Sequence, residues 1–322
     1  MPDTRESSFV LGVNYPWLRY GQDFGESSEG HLGASLPENQ DRIEQDFVRM
    51  HDCGVAAVRW FLFGDGRGGF TSKNGIPQAP DAFLFRDVAA VLQLAERHQL
   101  KLCFSLIDYL WLQDRRGPAL NLNHKILQFA AGREAFLENV LVPLFREFRA
   151  HPAIFAWEIA NEPEWAIREF HPIAAAKMRI ADFRVFATEL ARAVHEFAAV
   201  PVTMGSARLM WMRAWREVGL DFYQAHYYPA AERGAGDLTV QLASYSRLDK
   251  PLFLGEVPAR DLAETYSLAK TLDTCNYAGV LGAAVWRWTE PSDADTDQSI
   301  GAVEPEILAA WHSTDRPQDQ RV

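Results

Sequence analysis

Two glutamates stand at the ends of strand-like apolar runs, Glu162 in IFAWEIANEPEW (154–165) and Glu256 in PLFLGEVP (251–258). In the first run Ile154, Phe155, Trp157 and Ile159 favour a strand, and Ala156 and Ala160 suit a crowded interior. Asn161 and Glu162 follow, and Pro163, which has no N–H, cannot continue a ladder. A solvated loop acid is the plain alternative for Glu162, since most Asp and Glu are exposed. This stretch alone does not separate the two readings. Brought face to face, however, two carboxylates have a defined chemistry. One protonates a leaving oxygen while the other attacks an anomeric carbon or activates a water, which is glycoside hydrolysis.

Such a pair needs a frame that lifts strand ends toward each other. Strand-like runs recur at 9–15, 55–63, 100–107, 154–161, 200–205, 221–228, 251–257 and 278–288. Helix-like segments lie between them at 39–52, 81–98, 133–149, 175–198, 237–247, 260–275 and 303–312, with a shorter one at 207–218. Within 133–149, Phe136, Leu137, Val140, Leu141, Leu144, Phe145 and Phe148 recur at helical spacing with charges between them. Strand then helix, repeated about eight times, predicts parallel strands with helical crossovers, and at 322 residues a single (β/α)8 TIM barrel is the economical closure. A doubly wound sheet is the rival, but YPWLRYGQDFG after the first run is no phosphate loop. One domain over 1–322 is expected, with short polar tails at 1–7 and 313–322.

Strand parity sharpens the barrel reading. Counting back from Glu162, Ala160, Glu158 and Ala156 face inward, while Ile159, Trp157 and Phe155 face the helices. In the last run Gly282 and Ala284 share a side with Trp286 and Trp288. Small residues inside suit a narrow interior that widens at the top. Catalytic groups in such barrels sit at the C-terminal strand ends. The polar residues there are Asn14, Arg59, Asp108, Asn161, Glu162, His226, Tyr228 and Glu256, with Trp286 beside them.

Composition excludes some partners. The chain is 48 % hydrophobic, with 32 Lys and Arg against 43 Asp and Glu, a net charge of −11. That balance argues against nucleic acid or an anionic membrane surface, and does not disfavour a neutral sugar. Cys53, Cys103 and Cys275 have neither metal-ligand spacing nor an even count, and Cys103 reads as a buried small hydrophobe. No basic-then-apolar leader and no long apolar run is visible, so a soluble cytoplasmic protein is expected. A secreted chain trimmed of its signal would read the same way.

HPAIFAWEIANEP, with Gly-Glu at the end of the seventh strand, resembles the clan A glycoside hydrolases, most closely the cellulase- and mannanase-type family 5. The resemblance spans nearly the whole chain, with motifs on strands two, four, six, seven and eight. It implies that Glu162 is the general acid/base and Glu256 the nucleophile of a retaining double displacement. It further implies that Asn161 bonds the sugar's 2-hydroxyl, and that His226 and Tyr228 bind substrate and orient the nucleophile. Arg59 would keep Glu256 ionised, and Trp286 would stack on the sugar. The expected substrate is a β-linked glucan, mannan or related oligosaccharide, and no cofactor or metal is implied. The motifs do not separate these sugars.

Other residues have plainer readings. Glu158 reads as an interior ion-pair partner of Arg59, and Glu164 as a solvated loop acid. Asp108 and Asn14 divide evenly between substrate contact and loop hydrogen bonding, and Trp288 between wall and platform. Of Tyr15, Trp17, Phe63, Tyr109, Trp111, Trp165, Trp211 and Tyr227, about half are expected to line a cleft. Segment 293–304 matches the acidic positions of a calcium loop, but Gln298 stands where glycine is required, so an acidic rim loop is the better reading. The long loops 16–38 and 109–132 would decide between exo and endo action. Two rivals stand beside the glycosidase: a non-catalytic carbohydrate-binding barrel, and a metal-dependent barrel hydrolase built on His226 and nearby acids.

Overall fold

The β-branched, leucine-rich and aromatic runs become eight parallel strands that close on themselves. A computed structural model describes residues 9–113, 123–173, 175–232, 237–260, 266–289 and 301–314. The strands are β1 (Val10–Asn14), β2 (Ala57–Phe61), β3 (Lys101–Asp108), β4 (Ile154–Asn161), β5 (Val202–Ser206), β6 (Tyr223–His226), β7 (Leu252–Pro258) and β8 (Gly282–Trp286). Each pairs with its neighbour in chain order, and β8 pairs with β1. The chain is a (β/α)8 barrel.

Helices cover the outside, among them Pro37–Asp52, Leu84–Arg97, Ile180–Ala193, Leu238–Tyr245, Leu268–Tyr277 and Pro305–Ser313. The expected 133–149 helix is Ala130–Phe136 and Val142–Glu147 joined by a π-helical turn, Leu137–Leu141. All seven of its periodic apolar residues are buried. Segment 207–218 yields only a 3-10 turn, Leu209–Trp215, so β5 and β6 lack a full crossover helix. The helix expected from 175 starts at Ile180. Residues before it run extended, with the Arg168 N–H on the Met178 carbonyl and the Met178 N–H on the Ala166 carbonyl. A hairpin, Phe70–Lys73 with Ile76–Pro80, was not expected after β2. The final helix reaches Ser313, and residues 315–322 of the expected tail, like 1–7, lie outside the described residues.

Interior parity holds for most strand positions, and two breaks within the strands are informative. Trp157 faces outward as expected and packs at 5.2 Å on both Phe104 and Phe145. Phe155 does not. The register gains one β4 residue between Ile154 and Ala156 opposite Leu102 and Cys103, and the Phe155 ring instead meets Phe222 and Phe253 at 5.7 Å. Those rings, with Cys103, Ala156 and Ala284, make a small apolar plug apart from the main core.

The second break lies in β7. Ala225 and His226 are successive on β6 but face Leu254 and Glu256 on β7, so Gly255 is an extra residue. Gly255 points inward, because a Cβ there would meet the Gln224 side chain at 2.5 Å. Simple alternation would then send Glu256 out toward the helices. The bulge instead aims Glu256 inward as well, a common use of an extra residue beside a site.

Candidate active site

Arg59 is the hub of the barrel mouth. Its Nε and Nη2 donate to the two oxygens of Glu158, both at 2.6 Å. Its Nη1 donates to Glu256 Oε1 at 2.7 Å and to Asn14 Oδ1 at 2.9 Å, and Nη2 also reaches Asn161 Oδ1 at 2.7 Å. Glu158 further accepts from Ser105 Oγ and Gln224 Nε2. Burial alone would lift Glu158, but the Arg59 charge prevails and holds it below the ordinary carboxylate range. The expected ion pair with Arg59 is present, with both side chains sealed from solvent. This layer is the floor on which the mouth residues stand.

Above it Glu256 accepts from the Tyr228 hydroxyl at 2.6 Å through Oε2 and from Arg59 through Oε1. Burial raises its pKa, while positive charge on His226, the Arg59 guanidinium and the Tyr228 hydroxyl work against that rise. Burial also pushes His226 down to about 4, so near neutral pH the imidazole is uncharged. Arg59 and Tyr228 are then the groups that favour the Glu256 carboxylate. Burial, with the nearby Glu256 charge, pushes the Tyr228 pKa well up, so its hydroxyl stays a donor.

Glu162 ends β4 in a left-handed conformation, φ 47° and ψ 45°, which turns its side chain across the mouth. Its Oε1 lies 2.7 Å from His226 Nδ1, and its Oε2 accepts from the Trp165 indole N–H at 2.8 Å. Burial lifts its pKa to about 7 against the pull of that N–H and of Arg59. One oxygen of Glu162, one of Glu256 and a ring nitrogen of His226 all lie within 4.8 Å of one another. Two carboxyls this close fall with the short spacing of double displacement, about 5–5.5 Å, and not with the about 6.5–9.5 Å that admits an attacking water opposite the sugar. Three donors in one place also suit a divalent cation. A guanidinium within bonding distance of Glu256 works against one, and the Tyr228 hydroxyl already occupies Oε2 of Glu256, the oxygen nearer His226.

The other site residues gather here too. Asn161 has both faces engaged, its Nδ2 donating to Asp108 Oδ1 at 3.2 Å and its Oδ1 accepting from Arg59. Asp108 also accepts from the Tyr20 hydroxyl at 2.6 Å, so it is a buried link from the first loop to Asn161. Asn14 is buried scaffold: it bonds Arg59 and the Gly255 carbonyl beneath Glu256. Trp286 is partly open and meets Trp17 and Phe61 edge-on. Its peptide bond to Arg287 is cis. Trp288, expected on the same side as Trp286, instead packs outward, buried on the flank with its indole N–H on Asp46 and its ring under Arg49 of the Pro37–Asp52 helix, so it is neither wall nor platform of the mouth.

Of the eight aromatics weighed as cleft lining, Trp17, Tyr109, Trp165 and Trp211 keep exposure, while Tyr15, Phe63, Trp111 and Tyr227 are buried. Sequence missed Tyr20, whose signal was only its place in a long polar loop. Glu164 corrects a reading. It is fully buried and accepts from Ser206 Oγ, the Ala207 N–H and the Trp215 indole N–H. Pro163 begins a 3-10 turn, Pro163–Ala166, that folds Glu164 back under the rim. The calcium-like segment falls within 293–304, of which only 301–304 lie among the described residues. A depression of about 450 Å³ on the barrel flank, lined by Arg42, Asp46, Arg49, Arg260, Trp288 and Glu304, shares no residue with the mouth.

No helix among the described residues is long and apolar enough to cross a membrane. No protein-family profile matches the chain. The chain is similar to the mannan endo-1,4-beta-mannosidase of Cryptopygus antarcticus, 21 % identical across 90 % of this chain and 83 % of that one. It also resembles the enzyme of the same description from Mytilus edulis, 25 % identical over 50 % of this chain and 41 % of the relative. Among solved structures, an endo-1,4-beta-mannanase from Eisenia fetida superposes with a TM-score of 0.77 at 21 % identity, covering 97 % of this chain and 92 % of that one.

Proposed function

We infer that this chain is a retaining glycoside hydrolase of the family 5 mannanase type, acting on β-mannan. The observation that carries the reading is the pair Glu162 and Glu256, closed to within 4.8 Å across the mouth yet held in unlike surroundings. Glu256, between Arg59 and the Tyr228 hydroxyl, is equipped to be a carboxylate and attack the anomeric carbon. Glu162, lifted to about 7, is equipped to hold a proton for the leaving oxygen near neutral pH. Attack forms the bond from Glu256 to the anomeric carbon as the glycosidic bond breaks, and the Glu162 proton goes to the departing oxygen. Water then enters, Glu162 takes its proton, and the sugar leaves Glu256 with its original configuration.

Mannan as the substrate rests on the relatives' activity and on the shared barrel. Support for a sugar chain comes also from the half-open rings around the mouth: Trp17, Tyr20 and Trp286 on one side, Trp165 and Trp211 on the other. Incubation with an activated 2-deoxy-2-fluoro β-mannoside, followed by peptide mapping, tests the chemistry. The expected result is a covalent adduct on Glu256, with cleavage of manno-oligosaccharides faster than of gluco-oligosaccharides. Cleavage with inversion, or an adduct elsewhere, defeats the assignment of Glu256. Activity abolished by a chelator and restored by a divalent cation establishes the metal-dependent alternative. A chain that binds mannan without cutting it is the non-catalytic barrel.

A further inference from the structure

A carboxyl that is to give up a proton has to carry it on the correct oxygen. Glu162 accepts the Trp165 indole N–H on Oε2 at 2.8 Å, and its Oε1 faces His226 Nδ1. An indole nitrogen only donates. Oε2 is therefore committed as an acceptor, and with Nδ1 as the bare nitrogen of the uncharged imidazole, Oε1 can carry the proton.

Trp165 is itself held from three sides. Its ring packs edge-on against Trp211 at 5.3 Å and against His171 at 5.2 Å. Its backbone N–H donates to the Glu162 carbonyl, and its carbonyl accepts from Gln113 Nε2 at 3.4 Å. The preceding residue, Glu164, is locked below by three donors, and the following backbone is stapled to residue 178. A partly open rim tryptophan fixed this firmly is more than a surface for sugar.

We propose that Trp165 is a positioning residue: its indole N–H pins Oε2 of Glu162, leaving Oε1 as the oxygen that bears the transferable proton. The inference rests on Glu162 being the acid/base. Without the N–H, the carboxyl can rotate and the proton can sit on either oxygen. Donation to a carboxylate also favours the ionised form, so its loss moves the Glu162 pKa upward from about 7.

The test is Trp165→Phe, which keeps an aromatic body against Trp211 and removes the N–H with part of the ring. Trp165→Leu is a second variant lacking the N–H, should the first not fold. For each, kcat/KM is measured against pH on aryl β-mannobiosides with a poor and with a good leaving group. The expected result is a loss of about tenfold with the poor leaving group, under about twofold with dinitrophenolate, which departs without a proton. The alkaline limb is expected to rise by about half to one pH unit. A raised KM with the limb and the leaving-group dependence both unchanged makes Trp165 a sugar platform and overturns the proposal. Glu162→Gln separates the two claims. If it too leaves leaving-group dependence unchanged, the acid/base reading of Glu162 has failed, and the role of Trp165 falls with it.

Discussion

Glu162 and Glu164 are two residues apart, and burial lifts both to about 7. Each accepts one indole N–H, from Trp165 at 2.8 Å and from Trp215 at 2.7 Å. What surrounds them differs. Glu162 keeps 17 % of its side chain open to the mouth and faces His226, with Glu256 beyond. Glu164 has no exposure, and its oxygens are filled by Ser206, the Ala207 N–H and Trp215. A displaced pKa therefore registers burial in both cases. It becomes a mark of chemistry only where a substrate can arrive and a second titratable group stands opposite.

The largest expected effect breaks the pair apart by activity. Glu162→Gln removes the transferable proton and is expected to lower kcat/KM on manno-oligosaccharides by about 10²–10⁴-fold. Glu164→Gln keeps the shape and a carbonyl acceptor and is expected to stay within about tenfold, because a satisfied group behind the rim touches no reacting atom. Steady-state kinetics on both variants, after a check of folding by circular dichroism, decides it. Equal losses would mean that access does not distinguish the two acids, and the comparison would collapse.

The same two residues show how far a sequence can be read. Eight strand runs and their order were legible because each is a short apolar block between amphipathic helices, and β4 was placed to the residue. The mouth residues were legible because they follow those blocks. Glu164 was misread because nothing local to it says that β5 and the 209–215 turn fold over it; its three donors lie 42 to 51 residues away. The inward aim of Glu256 hangs on the extra residue Gly255, which alternation along β7 does not reveal. Phe155 shows the opposite error, an outward parity reversed by one extra residue in β4. Local pattern carries the elements. Register and long-range closure carry the orientation of individual side chains.

A second, smaller effect sharpens the comparison through stability. The Glu164 carboxyl is lifted from 4.5 to about 7 in the folded protein, so the native state binds the extra proton between those values. Its stabilising share is complete below about 4.5 and is lost as pH rises through about 7. The size is on the order of 3 kcal/mol, from about 1.4 kcal/mol per pH unit. Glu164→Gln has no proton to lose, so its unfolding free energy should fall less steeply from pH 5 to pH 8 than that of the parent chain. Glu162 titrates in both proteins and its contribution cancels. Denaturant melts at several pH values measure the difference, and parallel curves would show that Glu164 is ionised within the fold.

The smallest expected effect exchanges the two indoles. Trp215 is buried, and Trp215→Phe removes the N–H from Glu164 while keeping most of the ring. At pH 5 Glu164 is protonated, and the variant should show the packing loss of a smaller ring and the loss of a bond to a neutral acid. As pH rises through about 7 the carboxylate forms without its donor, and the loss should grow by about 1 kcal/mol. The sign follows from the bond: a donor that favours the carboxylate holds the folded pKa down, and its removal raises it further. The alkaline limb of kcat/KM should not move, since Trp215 does not touch Glu162. Trp165→Phe should do the reverse, moving the limb with little change in stability, because its ring is half-open. If Trp215→Phe moved the limb and Trp165→Phe did not, the indole bonds would be assigned to the wrong acids, and accessibility could no longer explain why one glutamate does chemistry and its neighbour holds a turn.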